Sequence, residues 1–318
     1  MSSTLSRLGA LALLATASLS AHAASYTYTT LSRPGATFTT AWDVNNSGQI
    51  VGSTSGDTGS QGFIYSGGIF TSLSGPSGAI STNALGISDA GVVVGSYYTS
   101  SSIDPDGNLI FGPETSYIYS GGVYTSFTVP GSNNTEARAI SPDGRYISGY
   151  YDSDAGEQGF VLDTLTNAFA FIGSGDGFTI AQGINNSYQV VGSDIISPST
   201  RPGFIYDIPT GTRTDVLLPG STRTAFRAID NAGVIAGWYV AGGITHGFTG
   251  YPGTIQSIDV AGADSTTVEG SNDLGVLVGN YDVGDQTFAF VARPVPEPET
   301  WALMLAGIAL LPLVRRRR

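Results

Sequence analysis

The chain has 318 residues, no cysteine, and 25 acidic against 13 basic side chains, which are all arginines, for a formal net charge of −12. This charge argues against the basic face that nucleic-acid binding needs, and the absence of thiols excludes disulfides, thiolate metal sites and cysteine nucleophiles. The 44 glycines and 15 prolines are too many for a helical bundle, whereas 41% hydrophobic content is too high for a disordered chain. An all-β fold is therefore expected.

The chain begins with a predicted secretory signal peptide over residues 1–23. An arginine precedes the apolar run Leu8–Ala15, and the small-x-small sequence Ala21–Ala23 provides a cleavage site. A short buried helix is the alternative, but this run is too short to span a bilayer. We therefore expect export, with His22 removed and His246 left as the one histidine of the mature chain.

Residues 24–294 contain an internal repeat made of two elements. One begins with a Gly-Phe strand, as in GFIYSGGIFTSL from Gly62, and the other is a hairpin such as VNNSGQIVGS from Val44. The second element occurs six times, and its last glycine recurs at Gly52, Gly95, Gly149, Gly192, Gly237 and Gly279. Both elements are rich in alternating Val, Ile, Phe and Tyr, which is typical of strands.

A glycine also recurs in the turn of the second element, where a short β-turn requires a left-handed conformation. It occurs at Gly48, Gly91, Gly144, Gly233 and Gly275, and Tyr188 replaces it once. We therefore predict a strained or differently built turn at Tyr188.

Two hairpins in about 45 residues make four antiparallel strands, which is typical of a propeller blade. The segments Tyr26–Leu31 and Phe288–Val291 each look like half of a hairpin, so we expect the two ends to share a blade and close the ring. The predicted fold is an all-β, six-bladed propeller over 24–294, with a signal helix before it and a transmembrane sorting helix after it. A β-solenoid is the competing architecture, although its repeats are usually shorter.

The C-terminal segment 295–318 contains the sequence Pro296-Glu297-Pro298, an apolar stretch over 301–314 and four terminal arginines. The prolines favour extended backbone that a processing enzyme can grip, and the apolar stretch suits a thin bilayer or a tilted insertion. The arginines would stay on the cytoplasmic side. An ordinary membrane anchor is the alternative.

This order of features closely resembles the PEP-CTERM sorting signal of Gram-negative bacteria. The resemblance implies recognition of Pro296, Glu297 and Pro298 by an exosortase, a membrane protease that releases or transfers the upstream domain. It also implies transient anchoring through residues 301–314, a final location at the cell surface or in the extracellular matrix, and association with exopolysaccharide. The repeats in turn resemble the HAF-type extracellular repeat of secreted bacterial proteins.

Acidic residues are concentrated in the loops that follow the second element, which we take to join successive units. These loops contain Asp57, Asp104, Asp106, Glu114, Asp152, Asp154, Glu157, Asp194, Asp282 and Asp285, and the neighbouring loops on the same face add Glu136, Asp176 and Asp264. We expect them to form an acidic rim on one face, able to attract calcium or a cationic partner.

The one insertion in the repeat contains the candidate metal ligands Asp104, Asp106 and Asn108. Oxygen ligands at alternate positions of a tight turn suit a hard cation, so Ca²⁺ is the candidate cofactor. A plain Pro-Asp-Gly turn is the simpler interpretation, and the Glu that closes an EF-hand loop is missing.

The sequence assigns no catalytic residue: His246 has no evident nucleophile partner, and no serine lies in a G-x-S-x-G elbow. Aromatic residues beside the second element, including Trp42, Tyr98, Tyr150 and Trp238, could stack on sugars, although packing within blades is their more usual role. Two functions remain, a non-enzymatic surface or matrix protein and a secreted polysaccharide-active hydrolase or lyase. Paired carboxylates lining the channel beside an open cleft would favour the hydrolase.

Overall fold

A computed structural model describes residues 25–56, 59–154, 156–173, 178–195 and 201–295. Residues Tyr26–Val295 form one compact unit. The predicted signal peptide, the sorting residues Pro296, Glu297 and Pro298, and both terminal helices lie outside the described residues. In the part of the chain that is described, no helix is long and apolar enough to cross a membrane.

The strands in chain order are β1 (Tyr26–Leu31), β2 (Phe38–Val44), β3 (Ile50–Gly56), β4 (Gly59–Ser66), β5 (Ile69–Leu73), β6 (Ser81–Ile87), β7 (Val93–Tyr98), β8 (Ser101–Ile103), β9 (Leu109–Phe111), β10 (Glu114–Ser120), β11 (Val123–Phe127), β12 (Thr135–Ile140) and β13 (Tyr146–Ser153). They continue as β14 (Gly156–Asp163), β15 (Ala168–Ile172), β16 (Phe178–Ile184), β17 (Gln189–Ile195), β18 (Gly203–Asp207), β19 (Thr212–Val216), β20 (Arg223–Ile229), β21 (Ile235–Ala241), β22 (Ile244–Tyr251), β23 (Thr254–Ile258), β24 (Ser265–Ser271), β25 (Leu277–Val283) and β26 (Gln286–Pro294).

These strands form six four-stranded antiparallel sheets, the blades of a propeller. Blade 1 is β2–β5, blade 2 is β6, β7, β10 and β11, and blades 3, 4 and 5 are β12–β15, β16–β19 and β20–β23. Blade 6 is β24–β26 completed by β1, and the hairpin β8–β9 is inserted in blade 2. The first strands of successive blades contact one another around the axis, including β2 with β24, so the six-bladed ring that the sequence predicts is confirmed.

The two ends of the propeller share blade 6, as predicted. Strand β1 pairs antiparallel with β26, with Tyr26 opposite Pro294 and Leu31 opposite Ala289. Leu31 and Ala289 are both buried in the same apolar cluster. Because β1 covers the open edge of β26, the ring has no unpaired strand at its seam.

The blade boundaries lie one hairpin away from those assumed in the sequence analysis. The second element supplies the two inner strands of each blade, and the Gly-Phe hairpin supplies the two outer strands. The acidic loops therefore join the second and third strands of one blade, not successive blades. The reason is that β1, the first strand of the chain, is the outermost strand of blade 6. The next strand, β2, therefore begins a new blade at its channel-lining position, and so does the first strand of each later blade. Glu136, expected in a loop, is the second residue of β12.

Five of the six recurring glycines make room for the aromatic side chain of the third strand, and Gly237 makes room for the backbone of β20. A Cβ at Gly149 would lie 2.1 Å from the Glu136 carbonyl oxygen and 2.8 Å from the Phe160 ring. The corresponding aromatic residues are all almost completely buried, namely Phe63, Tyr117, Phe160, Phe204, Phe248 and Phe290. Repeated Gly and Phe are thus two halves of one packing contact.

The recurring turn glycines have φ between 71° and 81°. Tyr188 takes the same left-handed conformation with φ 62°, so the strained turn predicted there is confirmed. Its ring packs 4.5 Å from that of Tyr146, and its hydroxyl accepts a long hydrogen bond of 3.4 Å from Arg145 Nη1.

Candidate functional site

The central channel is lined by a ring of six residues that share one structural position. Every channel-lining strand contains a register shift, and the residue at the shift faces the cavity on the axis. These residues are Trp42, Leu85, Arg138, Gln182, Arg227 and Glu269. A β-bulge redirects a side chain in this way. The ring cannot be recognised in the sequence, because its six residues differ in type and the position therefore shows no recurring residue.

The residue after each bulge lies where neighbouring inner strands meet. Glycine or alanine occupies this position in five blades, and a Cβ at Gly86 would lie only 2.7 Å from the Ala139 Cα. Blade 1 has Asp43, whose carboxylate accepts hydrogen bonds from Val44 N at 2.8 Å and Ile87 N at 3.0 Å. Burial raises the pKa of Asp43 to about 7.

The cavity has a volume of about 60 Å³. This is enough for a few water molecules, and too little for a sugar ring. The described channel residues therefore leave no space for a sugar ring inside the cavity.

Two arginines of the ring form ion pairs with glutamates. Arg138 Nε lies 2.6 Å from Glu136 Oε1, and Arg227 Nε lies 3.2 Å from Glu269 Oε2. Burial lowers the pKa of Arg227, and repulsion from Arg138 adds to this effect against the attraction of Glu269. Burial acts in the same direction on Arg138, but its carboxylate neighbours outweigh it and raise that pKa.

Aromatic rings flank both guanidinium groups. The Arg138 guanidinium carbon lies 6.0 Å from the Trp42 ring centroid and 5.7 Å from that of Tyr150, and Arg227 lies 5.8 Å from Trp238. These contacts are within cation–π range. Three aromatic residues that the sequence analysis considered for sugar stacking therefore pack on arginines.

A pair of buried carboxyl groups lies between blades 2 and 3. Glu114 begins β10, Glu136 lies in β12, and they are 7% and 8% exposed. Burial, followed by the charge of Glu136 and a hydrogen bond with it, raises the pKa of Glu114 to about 8. Tyr150 donates a 3.0 Å hydrogen bond to Glu136 Oε2. Burial thus favours the protonated form of Glu114, and Glu136 faces Arg138.

The inserted hairpin packs on Tyr98, a neighbour of Glu114. Tyr98 lies opposite Glu114 in the ladder of blade 2, and burial and the nearby Glu114 raise its pKa. Phe111 of β9 stacks on Tyr98 with ring centroids 4.7 Å apart and an interplanar angle of 29°. The insertion thus contacts blade 2 through the residue that lies opposite Glu114.

At the other end of the cavity, hydrogen bonds connect each blade to the next through the turns between the two inner strands. Asn231 N donates to Asp273 Oδ1 at 2.9 Å, and Asp273 N donates to Asn46 Oδ1 at 2.9 Å. The ring continues through Asn46 N to Asp89 Oδ1, Asp89 N to the Pro142 carbonyl, Asp143 N to Asn186 Oδ1 and Asn186 N to Asn231 Oδ1. These bonds close a circle around the axis.

The predicted metal ligands lie together at the tip of the inserted hairpin. The Asp104 carboxylate accepts hydrogen bonds from Asn108 Nδ2 at 3.0 Å, Asn108 N at 2.8 Å and Asp106 N at 3.0 Å, and these bonds lower its pKa. This arrangement is a turn stabilised by an aspartate. Among the described residues, no group of three or more His, Asp or Glu is placed to hold a metal ion. Calcium binding by Asp104, Asp106 and Asn108 stays a prediction.

Several acidic residues of the expected rim are used inside the fold. Asp194 is 1% exposed and pairs with Arg213, and Asp282 accepts hydrogen bonds from Ser265 at 2.6 Å and Thr287 at 2.7 Å. Asp57 and Asp176 lie outside the described residues. His246, on β22, stacks on Tyr239 at 5.2 Å, and its Nδ1 lies 3.2 Å from Asp259 Oδ1.

The fold and the channel define a six-bladed β-propeller with a small, charged axial cavity. No protein-family model matches the chain, and no curated protein matches it. Among solved structures, TolB from Acinetobacter baumannii is similar with a TM-score of 0.47 and 14% identity, over 82% of this chain and 64% of that chain. The β-propeller domain of the Trilobed protease from Pyrococcus furiosus gives 0.47 and 9%, over 82% of this chain and 97% of that chain.

Trypanosoma rangeli sialidase gives a TM-score of 0.49 and 8% identity, over 81% of this chain and 54% of that chain. The chain thus spans less than two thirds of the TolB and sialidase chains. At these identities and scores, the similarities indicate nothing about activity.

Proposed function

We propose that the protein is a non-enzymatic, exported propeller that presents its loops to exopolysaccharide or other matrix components at the cell surface. The observation that supports this most is the closure of the charged region. The carboxyl pair Glu114–Glu136 is more than nine-tenths buried, and the adjoining cavity of about 60 Å³ has no room for a sugar ring. The charged groups near the axis contact one another and stabilise a rigid scaffold.

The experiment is to incubate the purified full chain with a panel of bacterial exopolysaccharides and to measure binding and reducing ends in the same samples. We expect retention on at least one polysaccharide without any increase in reducing ends. Failure to bind any polysaccharide would contradict the proposal.

A hydrolase is the second candidate, because a carboxyl group with a raised pKa beside a second carboxyl group is the kind of pair that acid–base chemistry uses. The variants Glu114→Gln and Glu136→Gln test it. New reducing ends that appear with the wild-type chain and disappear with both variants would favour the hydrolase. Asp285→Asn, at an exposed loop residue, is the matched control and should leave such an activity unchanged.

The tail is proposed to direct sorting by an exosortase through Pro296, Glu297 and Pro298, with residues 301–314 as a transient membrane anchor. The support is the resemblance of residues 295–318 to the PEP-CTERM signal. Replacing the three residues by alanine should keep the protein in the membrane fraction of a Gram-negative host that has an exosortase. Glu299→Ala, just outside the tripeptide, is the matched control, and an equal effect of both changes would contradict the assignment.

A further inference from the structure

Two arginine side chains reach the axial cavity with hydrogen-bonding capacity to spare. A guanidinium group has five N–H donors. Arg138 and Arg227 approach Glu136 and Glu269 through Nε, and neither approach is aligned as a hydrogen bond. Within the described residues, neither guanidinium donates a hydrogen bond to an acceptor of the protein.

Two further donors line the same cavity. The Trp42 Nε1 is buried and has no hydrogen-bond partner among the described residues. Gln182 lies on the strand of blade 4, between the strands that bear the two arginines, and its side chain also lines the cavity. Buried donors in native proteins are nearly always paired, whereas Trp42 Nε1 and the Nε atoms of Arg138 and Arg227 have no hydrogen-bond partner among the described residues.

Five acidic residues line the same cavity as the two arginines, namely Asp43, Asp89, Asp230, Asp273 and Glu269. The four aspartates accept hydrogen bonds from nearby N–H groups, and Glu269 faces Arg227. The two arginines are close enough that Arg138 contributes to lowering the pKa of Arg227. A negative charge between them would relieve this repulsion and supply the missing acceptor atoms. Arginine binds planar carboxylate groups and sulfate-type oxyanions through pairs of N–H donors.

We propose that the axial cavity between Arg138 and Arg227 is a binding site for a small oxyanion, a carboxylate or a sulfate group. Trp42 Nε1 and the Gln182 amide complete the donor set. The cavity volume limits the bound part to the charged group itself, so a sugar acid would insert only its carboxylate. The ligand can therefore be a free anion or a charged group carried by a sugar. The anion site is independent of the proposed function, because a protein that is purely structural, or that binds only neutral glycans, would not need it.

The test is a titration of the full chain with sodium sulfate, sodium acetate, galacturonic acid and galactose at constant ionic strength. Binding is measured by calorimetry and by the NMR signal of the Trp42 indole N–H, which Trp42→Phe assigns. We expect sulfate, acetate or galacturonic acid to bind and to shift this signal, and galactose to do neither. Tighter binding of galacturonic acid than of acetate would identify a sugar-borne group, and the reverse would identify a free anion.

Arg227→Gln should weaken binding by about tenfold or more, because it removes a charged donor. Arg227→Lys keeps the charge but loses the paired donors, so it should also bind more weakly while it retains the wild-type circular dichroism spectrum. Arg33→Gln is the control, because Arg33 bonds Gln61 and Ser72 away from the axial cavity. The proposal is overturned if no anion shifts the Trp42 signal, or if Arg33→Gln weakens binding as much as Arg227→Gln.

Discussion

Thr30 and Tyr281 form a hydrogen bond of 2.9 Å between their hydroxyl groups although 251 positions separate them in the chain. Two residues before Thr30, the ring of Tyr28 lies 5.8 Å from that of Phe290. These contacts attach the first strand to the last blade. The stability of the whole ring therefore depends on six residues at the start of the described chain.

Deleting Tyr26–Leu31 should destabilise the propeller by about 3 kcal/mol or more, since it removes the buried Leu31 and exposes the edge of β26. Chemical denaturation measures the loss, and light scattering should detect aggregation through the new edge. Replacing the hairpin over 101–111 by a short glycine linker is the control, because blade 2 keeps its four strands without it. Equal stability of the deletion variant and the wild type would contradict the closure.

Gly149→Ala should cost about 1–3 kcal/mol, or more, in the free energy of unfolding, because overpacking a filled site is destabilising. A Cβ there would lie 2.1 Å from the Glu136 carbonyl oxygen. Gly56→Ala is the matched control, since the nearest atom to its Cβ would be 3.8 Å away and its φ is not positive. Similar denaturation midpoints for the two variants would refute the packing role of the recurring glycines.

The ring and its closure could be predicted because they depend on recurring residues. The glycines and the Gly-Phe strands repeat in the sequence, and each end of the repeat supplies half of a hairpin. The blade boundaries could not be predicted in the same way, since both hairpins have similar strand patterns and only the position of β1 distinguishes inner from outer strands.

The charged site could not be predicted because nothing in it repeats. Arg138 and Arg227 occupy a position that holds Trp42, Leu85 and other residues elsewhere, and a bulge points them to the axis. Glu114 and Glu136 belong to different blades, so their contact depends on how blades pack. The acidic loops were recognised in the sequence, but it did not reveal which acids pair inside the fold.

Stability should fall as the pH rises from about 5 to about 8, because Glu114 and Asp43 keep their protons in the folded state up to pKa values of about 8 and about 7. In the unfolded chain the pKa of a glutamate is about 4.3. The folded state therefore binds more protons than the unfolded state in this window, and raising the pH favours unfolding.

Glu114→Gln, which cannot ionise, should reduce the slope of this part of the stability profile, with the remainder due to Asp43, and should raise the thermal midpoint at pH 8 relative to the wild type. Thermal unfolding at several pH values provides the measurement. Asp285→Asn is the control and should leave the slope between pH 5 and 8 in place. A slope that is unchanged in Glu114→Gln would show that another group causes it.

Asp273→Ala should cost about 0.5–1.5 kcal/mol, because it removes the hydrogen bonds that the exposed Asp273 carboxylate accepts from Asn231 and Asn46. Burial alone would raise the pKa of Asp273, but these hydrogen bonds outweigh it and lower the pKa. The stability that the Asp273 carboxylate contributes is therefore fully present above the pKa of an aspartate in the unfolded chain. It is lost as the pH falls through the lower pKa of Asp273 in the folded state. Asp215→Ala removes a half-exposed ion pair with Arg213 and should cost far less. Equal costs in urea denaturation would contradict a special role of the hydrogen-bonded circle.

The ring closure itself can be tested by a disulfide between residues that face each other across the seam. Thr27 lies opposite Arg293 in the pairing of β1 with β26, and both are exposed. The chain has no cysteine, so Thr27→Cys with Arg293→Cys introduces a single possible bridge. The control pairs Thr27→Cys with Val123→Cys, on an outer strand of blade 2.

Mass spectrometry of oxidised, non-reduced monomer is the measurement. If the six-bladed ring is closed, the 27/293 variant should form an intramolecular disulfide in nearly every molecule. Its oxidised form should also unfold at a higher temperature than its reduced form. The 27/123 control should form no intramolecular disulfide. Free thiols or intermolecular dimers in the 27/293 variant would contradict the closed propeller.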